Sequence, residues 1–315
     1  MSTVKAWVAA ARLRTLPLSV SGIIVGASLG YGFVRETADA QLGEYISVSH
    51  TPLWKILMFW LAILTTVGFQ VISNFANDYG DGVKGTDKDR EGEQRMVASG
   101  VISPGQMRRG IILTSVITFG IALWLLYEAF GWEQLPYLVL FLVLGIASIA
   151  AAIKYTVGKN PYGYSGFGDL FVFLFFGLLS VLGTYFLFAK DIPRDLILPA
   201  ITVGLFSVAV LNLNNMRDIA NDARSGKKTI VVKLGSEKAK LYHYALLIIG
   251  MGSAIFYTVL HYESIYQWGY CVAFIPLILN MVTVARNKEP VKLDGELKKV
   301  ALSTFLFAVL FAILH

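Results

Sequence analysis

Apolar runs of eighteen or more residues recur along the whole 315-residue chain, and no other feature restricts its fold as severely. Coiled at about 1.5 Å per residue, each run is long enough to cross the hydrocarbon of a bilayer. In that solvent every backbone N–H and C=O must be satisfied within the chain, so helices are the expected spanning elements. The charge content agrees, since only 15% of residues are charged where soluble domains carry about 25%. The sequence therefore predicts an all-α membrane protein, one polytopic domain over 1–315 rather than two soluble ones.

The runs place about nine transmembrane helices near 15–34, 53–77, 109–130, 136–153, 167–188, 195–215, 239–260, 267–285 and 297–314, bundled around a central cavity. The first run is long and is followed by others, so it reads as a retained span rather than a cleaved signal peptide. Connections alternate in charge. Lys5, Arg12 and Arg14, then Lys84, Arg95 and Arg108, then Lys154, then Arg217, Lys227 and Lys228 fall on one side; Glu36, Asp39, Glu133 and Glu263 fall on the other. The basic side is expected to be cytoplasmic, with the N-terminus inside and, for an odd number of spans, the C-terminus outside. The net charge of +6 belongs to these loops, and no nucleic-acid motif accompanies it. The lone Cys271 can form no intramolecular disulfide, and His50, His243, His261 and His315 have no zinc-ligand spacing.

Two cytoplasmic loops, about 78–108 and 216–238, are long and polar and are expected to form structured caps. Ser103, Pro104 and Gln106 read as a capped helix start. Ser236, with Glu237 in the first turn, reads as another.

The second span ends in "SNFANDYGD". Asn74, Asn77, Asp78 and Asp81 fall at i, i+3, i+4 and i+7, one helical face. The sixth ends in "NLNNMRDIAND", where Asp218 and Asp222 are again one turn apart. Each first Asp follows an Asn by four residues, as in a duplicated helix pair. Carboxylates at a span end are often only facing water, but two matched clusters on one membrane side suggest a shared ligand. Oxygen-only donors suit Mg²⁺, which is held by one or two carboxylates together with substrate phosphates. Arg95, Arg217, Lys227 and Lys228 in the same loops, and Lys154 at the end of the fourth span, would supply charge-assisted hydrogen bonds to a diphosphate.

A diphosphate handled at a membrane mouth implies a lipid tail, as in a polyprenyl diphosphate. Ionising its C–O bond needs a dry pocket with π faces. Tyr155, beside Lys154, is the leading aromatic candidate. In "KNPYGYSGFGDLFVFLFFG", Asp169 enters an apolar span and is a functional candidate for that reason, the plainer reading being a carboxylate paired to a neighbouring helix. Gly163, Gly166, Gly168 and Gly177 in that stretch allow close backbone approach.

The stretches "NDYGDGVKGTD" and "RDIANDARSGKKT" resemble the two aspartate-rich motifs of the UbiA superfamily of intramembrane prenyltransferases. "RLRTLPLSVSGIIVG" and "YTVGKNPYGYSGFGDLFVFLFFG" extend the resemblance towards its MenA branch. That resemblance implies a nine-helix bundle and Mg²⁺-dependent transfer of a polyprenyl group to 1,4-dihydroxy-2-naphthoate, with loss of diphosphate and CO₂, in the bacterial inner membrane. It implies metal–diphosphate roles for Asn74, Asn77, Asp78, Asp81, Asp218 and Asp222, and a substrate role for Arg14. The superfamily's third acidic position of the first motif falls on Gly85, so the nearest carboxylate, Asp87, is a displaced metal-ligand candidate. Two rivals stand beside this reading. One is a prenyltransferase for another aromatic acceptor, such as 4-hydroxybenzoate or homogentisate. The other is an ion-coupled transporter, which would place its charges nearer the bilayer midplane.

Overall fold

A computed structural model describes residues 3–42, 51–85, 95–158 and 161–315, with no strand among them. A short helix α1 (Thr3–Ala11) precedes the spans α2 (Leu16–Leu42), α3 (Leu57–Lys84), α4 (Pro104–Phe130), α5 (Leu135–Lys154), α6 (Gly168–Ala189) and α7 (Ile197–Arg217). Two short helices, α8 (Ile219–Arg224) and α9 (Ile230–Leu234), lead to the spans α10 (Ser236–Leu260), α11 (Ile265–Arg286) and α12 (Asp294–Leu314). Nine helices among the described residues are thus long and apolar enough to cross a membrane.

Three boundaries differ from the sequence expectation. α2 continues to Leu42 rather than stopping at 34. α3 carries the first motif as far as Lys84, with Asp78 and Asp81 on it paired to Met96, Val97, Tyr164 and Lys227 of other segments; it stops at Gly85, whose φ of 73° forms a left-handed C-cap. The first connector therefore begins at Gly85, not at 78. The third lies at α10, where Gly235, not Ser236, is the N-cap. At α4 the expected cap is present: Gln106 N–H donates to Ser103 Oγ at 3.2 Å, and Ser103 N–H donates to Gln106 Oε1 at 2.9 Å.

Packing sets which helix carries the chemistry. Of the most apolar window of α7, 67% is buried, against none of that of α5. α5 is therefore a peripheral, lipid-facing span and α7 the central post, so the second acidic motif at its end is held in the middle of the bundle. Around α7, Phe206, Tyr270 and Phe307 meet edge to face, with ring centroids 5.4 and 5.9 Å apart. Lipid tails are as apolar as these side chains, so close packing rather than transfer from water supplies the cohesion.

Close packing is most demanding where α2 meets α6. A Cβ on Gly26 would lie 2.3 Å from the Val181 carbonyl oxygen, which is backbone and cannot step aside. Gly26→Ala is expected to cost about 2 kcal/mol through overpacking, whereas Gly32→Ala, with nothing within 4 Å of its Cβ, should be near neutral. Thermal midpoints of the two detergent-purified variants check this, and equal midpoints would refute the assigned contact.

Within α6, residues Phe173–Gly183 form a π-helix. Such wide turns are rare and concentrate at functional sites; this one turns Phe175, Phe176, Leu179 and Gly183 towards a cavity. Nothing in the sequence pattern announced it.

The two ends of the bundle differ. At one, Arg14 approaches Asp294 (3.9 Å). At the other, Thr258 Oγ1 lies 2.8 Å from Tyr270 Oη and 3.0 Å from His315 Nε2. The termini thus fall on opposite sides.

Candidate active site

Two cavities meet inside the bundle. One, of about 370 Å³, is mainly apolar and is walled by α2, α3, α4, α5 and α6. The other, of about 230 Å³, is polar and lies at the end of the bundle that carries both acidic motifs. They share Gln70, Asn77, Tyr155, Val172, Phe176 and Leu211 as a common wall.

Asp81, Asp218 and Asp222 line the polar cavity together with Asn77, Arg14, Arg95 and Lys227. The Asp81 carboxylate accepts a hydrogen bond from Tyr164 Oη at 2.7 Å and pairs with Lys227 Nζ at 3.4 Å. Lys227 Nζ is also 3.9 Å from Asp222. One ammonium therefore links the two motifs, which lie on different helices. It rests 4.8 Å above the Tyr164 ring, and Lys84 Nζ lies 4.6 Å from the same ring. Asp218 is gripped by its neighbour Arg217, with Nε and Nη2 each donating at 2.8 Å to the two carboxylate oxygens.

Other sequence candidates are placed differently. Asp78 is buried and does not line either cavity; its two oxygens accept the Met96 and Val97 backbone N–H groups at 3.0 and 2.9 Å. It fastens the far end of the first cap loop to α3. Asn74 borders the apolar cavity rather than the polar one. Its Nδ2 donates to the Ala11 carbonyl at 2.8 Å and so braces the break between α1 and α2. At that break Arg12 takes a left-handed φ of 50°, an uncommon conformation for a residue with a Cβ. Asp169 accepts a hydrogen bond from Tyr242 Oη at 3.0 Å and lines neither cavity. This is the helix-to-helix pairing that was the plainer sequence reading. Lys154 is exposed at the end of α5, and Lys228 is exposed with its backbone N–H donating to Tyr164 O at 2.8 Å; neither lines a cavity. Arg217 is buried away from the mouth. Asp87 lies outside the described residues.

Tyr155 stands where the cavities meet. Burial, with the nearby negative charges of Asp169 and Asp81, pushes its phenol above the ordinary tyrosine range, so it remains a neutral O–H. From it a file of rings runs along the apolar cavity: Tyr155 to Tyr162 (5.4 Å), Tyr162 to Phe171 (4.1 Å) and Phe171 to Phe175 (6.0 Å). Sequence reasoning singled out Tyr155 among the aromatics but gave no site role to Arg12, Tyr164 or Lys298, which also line the polar cavity. Arg12 entered the sequence reading only as loop charge. The alternation of glycines and tyrosines in "YGYSGFG" was the one signal pointing to Tyr164, because Gly166 turns the chain at a φ of 89° two residues after it.

A model of the UbiA prenyltransferase family matches residues 42–313. The chain belongs to that family. It is 39% identical to the 1,4-dihydroxy-2-naphthoate octaprenyltransferase of Escherichia coli (strain K12), over 99% of this chain and 96% of that protein. A protein of the same name from Mycobacterium tuberculosis (strain ATCC 25618 / H37Rv) is 36% identical over 79% of this chain and 76% of its own length. Among solved structures, a UbiA homolog from Archaeoglobus fulgidus bound to GPP and Mg²⁺ superposes with a TM-score of 0.67 at 15% identity, covering 98% of this chain and 99% of that one. That solved structure shares the fold; family membership, with the nine apolar helices, makes the chain a membrane prenyltransferase and removes the transporter reading.

The donor set of this prenyltransferase fits a hard cation. Asp81, Asp218, Asp222 and Asn77 present only oxygen and amide ligands to the polar cavity. Among the described residues no three or more carboxylates, histidines or cysteines converge closely enough to cage an ion. Oxygen donors of this kind suit Mg²⁺, which keeps waters and takes phosphate oxygens as its remaining ligands.

Proposed function

We propose that this prenyltransferase joins a polyprenyl group, from its diphosphate, to 1,4-dihydroxy-2-naphthoate, giving the quinol form of demethylmenaquinone with release of diphosphate and CO₂. The observation that carries the reading is the join between the cavities. A charged chamber of Asp81, Asp218, Asp222, Lys227 and Arg95 opens, past Tyr155, into a long apolar chamber. A molecule with a diphosphate head and an isoprenoid tail matches that division, with its C1 at Tyr155. The names and near-full-length identity of the relatives supply the acceptor.

Mg²⁺, when bound, would neutralise the diphosphate as it leaves; Asp81, Asp218 and Asp222, with Asn77, are the residues that would hold it. Lys227, Arg95 and Arg14 orient the phosphate oxygens by charge-assisted hydrogen bonds. The C1–O bond breaks with its electron pair on the diphosphate, and the allylic cation left behind faces the neutral rings of Tyr155, Tyr162 and Phe171. The apolar walls keep water from capturing it. The electron-rich naphthoate ring gives the pair for the new C–C bond, and its carboxylate departs as CO₂. The polar chamber is on the cytoplasmic side, since Arg12, Arg14, Arg95 and Arg108 all cluster at that end of the spans.

Purified protein in nanodiscs, given octaprenyl diphosphate and either 1,4-dihydroxy-2-naphthoate or 4-hydroxybenzoate, tests this. Prenylated product and CO₂ are expected with the naphthoate. Product with 4-hydroxybenzoate and none with the naphthoate would overturn the acceptor assignment while leaving prenyl transfer intact.

A further inference from the structure

The structure assigns Asp294, at the start of α12, as a positioning residue that sets the orientation and charge of Asp218 through Arg217. The inference rests on the reading that Asp218 faces the metal–diphosphate. Arg217 donates four hydrogen bonds. Nε and Nη2 hold both oxygens of Asp218, Nη2 also donates to Asn214 Oδ1 at 2.8 Å, and Nη1 donates to Asp294 Oδ1. Its side chain is 2% exposed. Arg217, so engaged, lines neither cavity and acts on the site through Asp218.

Taken alone, the Arg217–Asp218 pair is neutral, a poor ligand for a divalent ion. Asp294 changes that sum. Two carboxylates on one guanidinium leave those three groups with one net negative charge, set against Arg14 beside Asp294, and Asp218 lines the polar cavity. The fork fixes the carboxylate plane, which Lys could not do. Asp294 Oδ2 also lies 3.9 Å from Arg14 Nη1, so the same carboxylate ties the first span to the second acidic motif. Asp294 is 45% exposed at the rim, so it contributes to the site's charge without being part of the packed core.

Asp294→Asn keeps an oxygen for Arg217 but removes the charge. Mn²⁺ titrated into the purified protein with inorganic diphosphate, with free ion followed by electron paramagnetic resonance, reads metal binding without turnover. Asp294→Asn is expected to weaken Mn²⁺ binding about tenfold, the order set by one unit charge near a divalent ion in a partly buried site. Its thermal midpoint should stay at the wild-type value, and Asp294→Glu should restore binding. Wild-type Mn²⁺ affinity in Asp294→Asn, or no recovery in Asp294→Glu, overturns the inference alone. A wild-type protein that takes up no Mn²⁺ overturns the metal reading and this inference with it.

Discussion

Asp81→Asn is expected to lower turnover by about 10³-fold, roughly 4 kcal/mol of barrier, while leaving a folded protein. Asparagine keeps the shape of the side chain and an oxygen for the Tyr164 hydroxyl, now 2.7 Å from Asp81 Oδ1. It removes the charge that faces the polar cavity and that pairs with Lys227. Lys227 retains Asp222 as a partner at 3.9 Å, so the contact between the second cap loop and the bundle survives. The loss should therefore appear in kcat and in the Mg²⁺ concentration needed for half-maximal rate, with the thermal midpoint within a few degrees of wild type. A variant retaining a tenth or more of wild-type turnover at ordinary Mg²⁺ would remove Asp81 from the metal site.

The spans were legible because hydropathy acts over eighteen or more residues and needs no tertiary information. The site was legible only in part, and the first motif shows why. At about 100° per residue, Asn77 and Asp81 lie within about 40° of one another, and so do Asn74 and Asp78, but the two pairs are offset around α3. Spacing puts all four on one broad face and cannot say that the face has two edges. The Asn77–Asp81 edge meets the cavity; the other edge meets the α1–α2 break and the returning cap loop. Arg217 was read as a phosphate ligand because it lies in the same loop as the second acidic motif. Its partner Asp294 is 77 residues away, and only the fold brings the two together. The π-helix of α6 arises from how the span packs, and its apolar sequence reads the same in either helical form.

The same offset makes a sharp contrast between asparagine at 78 and asparagine at 81. Both oxygens of Asp78 accept buried backbone N–H groups, from Met96 and Val97. In Asp78→Asn one of those oxygens becomes an NH₂ group facing an N–H donor, and the hydrogen bond turns into a repulsion. Asp78→Ala leaves both donors unpaired, at about 1–3 kcal/mol each. Either change is expected to lower the thermal midpoint and to release the 95–102 segment from α3, so that trypsin cuts at Arg95 at a rate the wild type does not show. Turnover should fall steeply as well, since Arg95 lines the polar cavity and is held there by this loop. The pattern differs from that of Asp81→Asn, in which activity is lost without loss of stability or protection. If Asp78→Asn kept wild-type stability and protease resistance yet lost activity, Asp78 would be a ligand of the metal rather than the anchor of the loop. Motif 1 would then act on the diphosphate through both edges of α3.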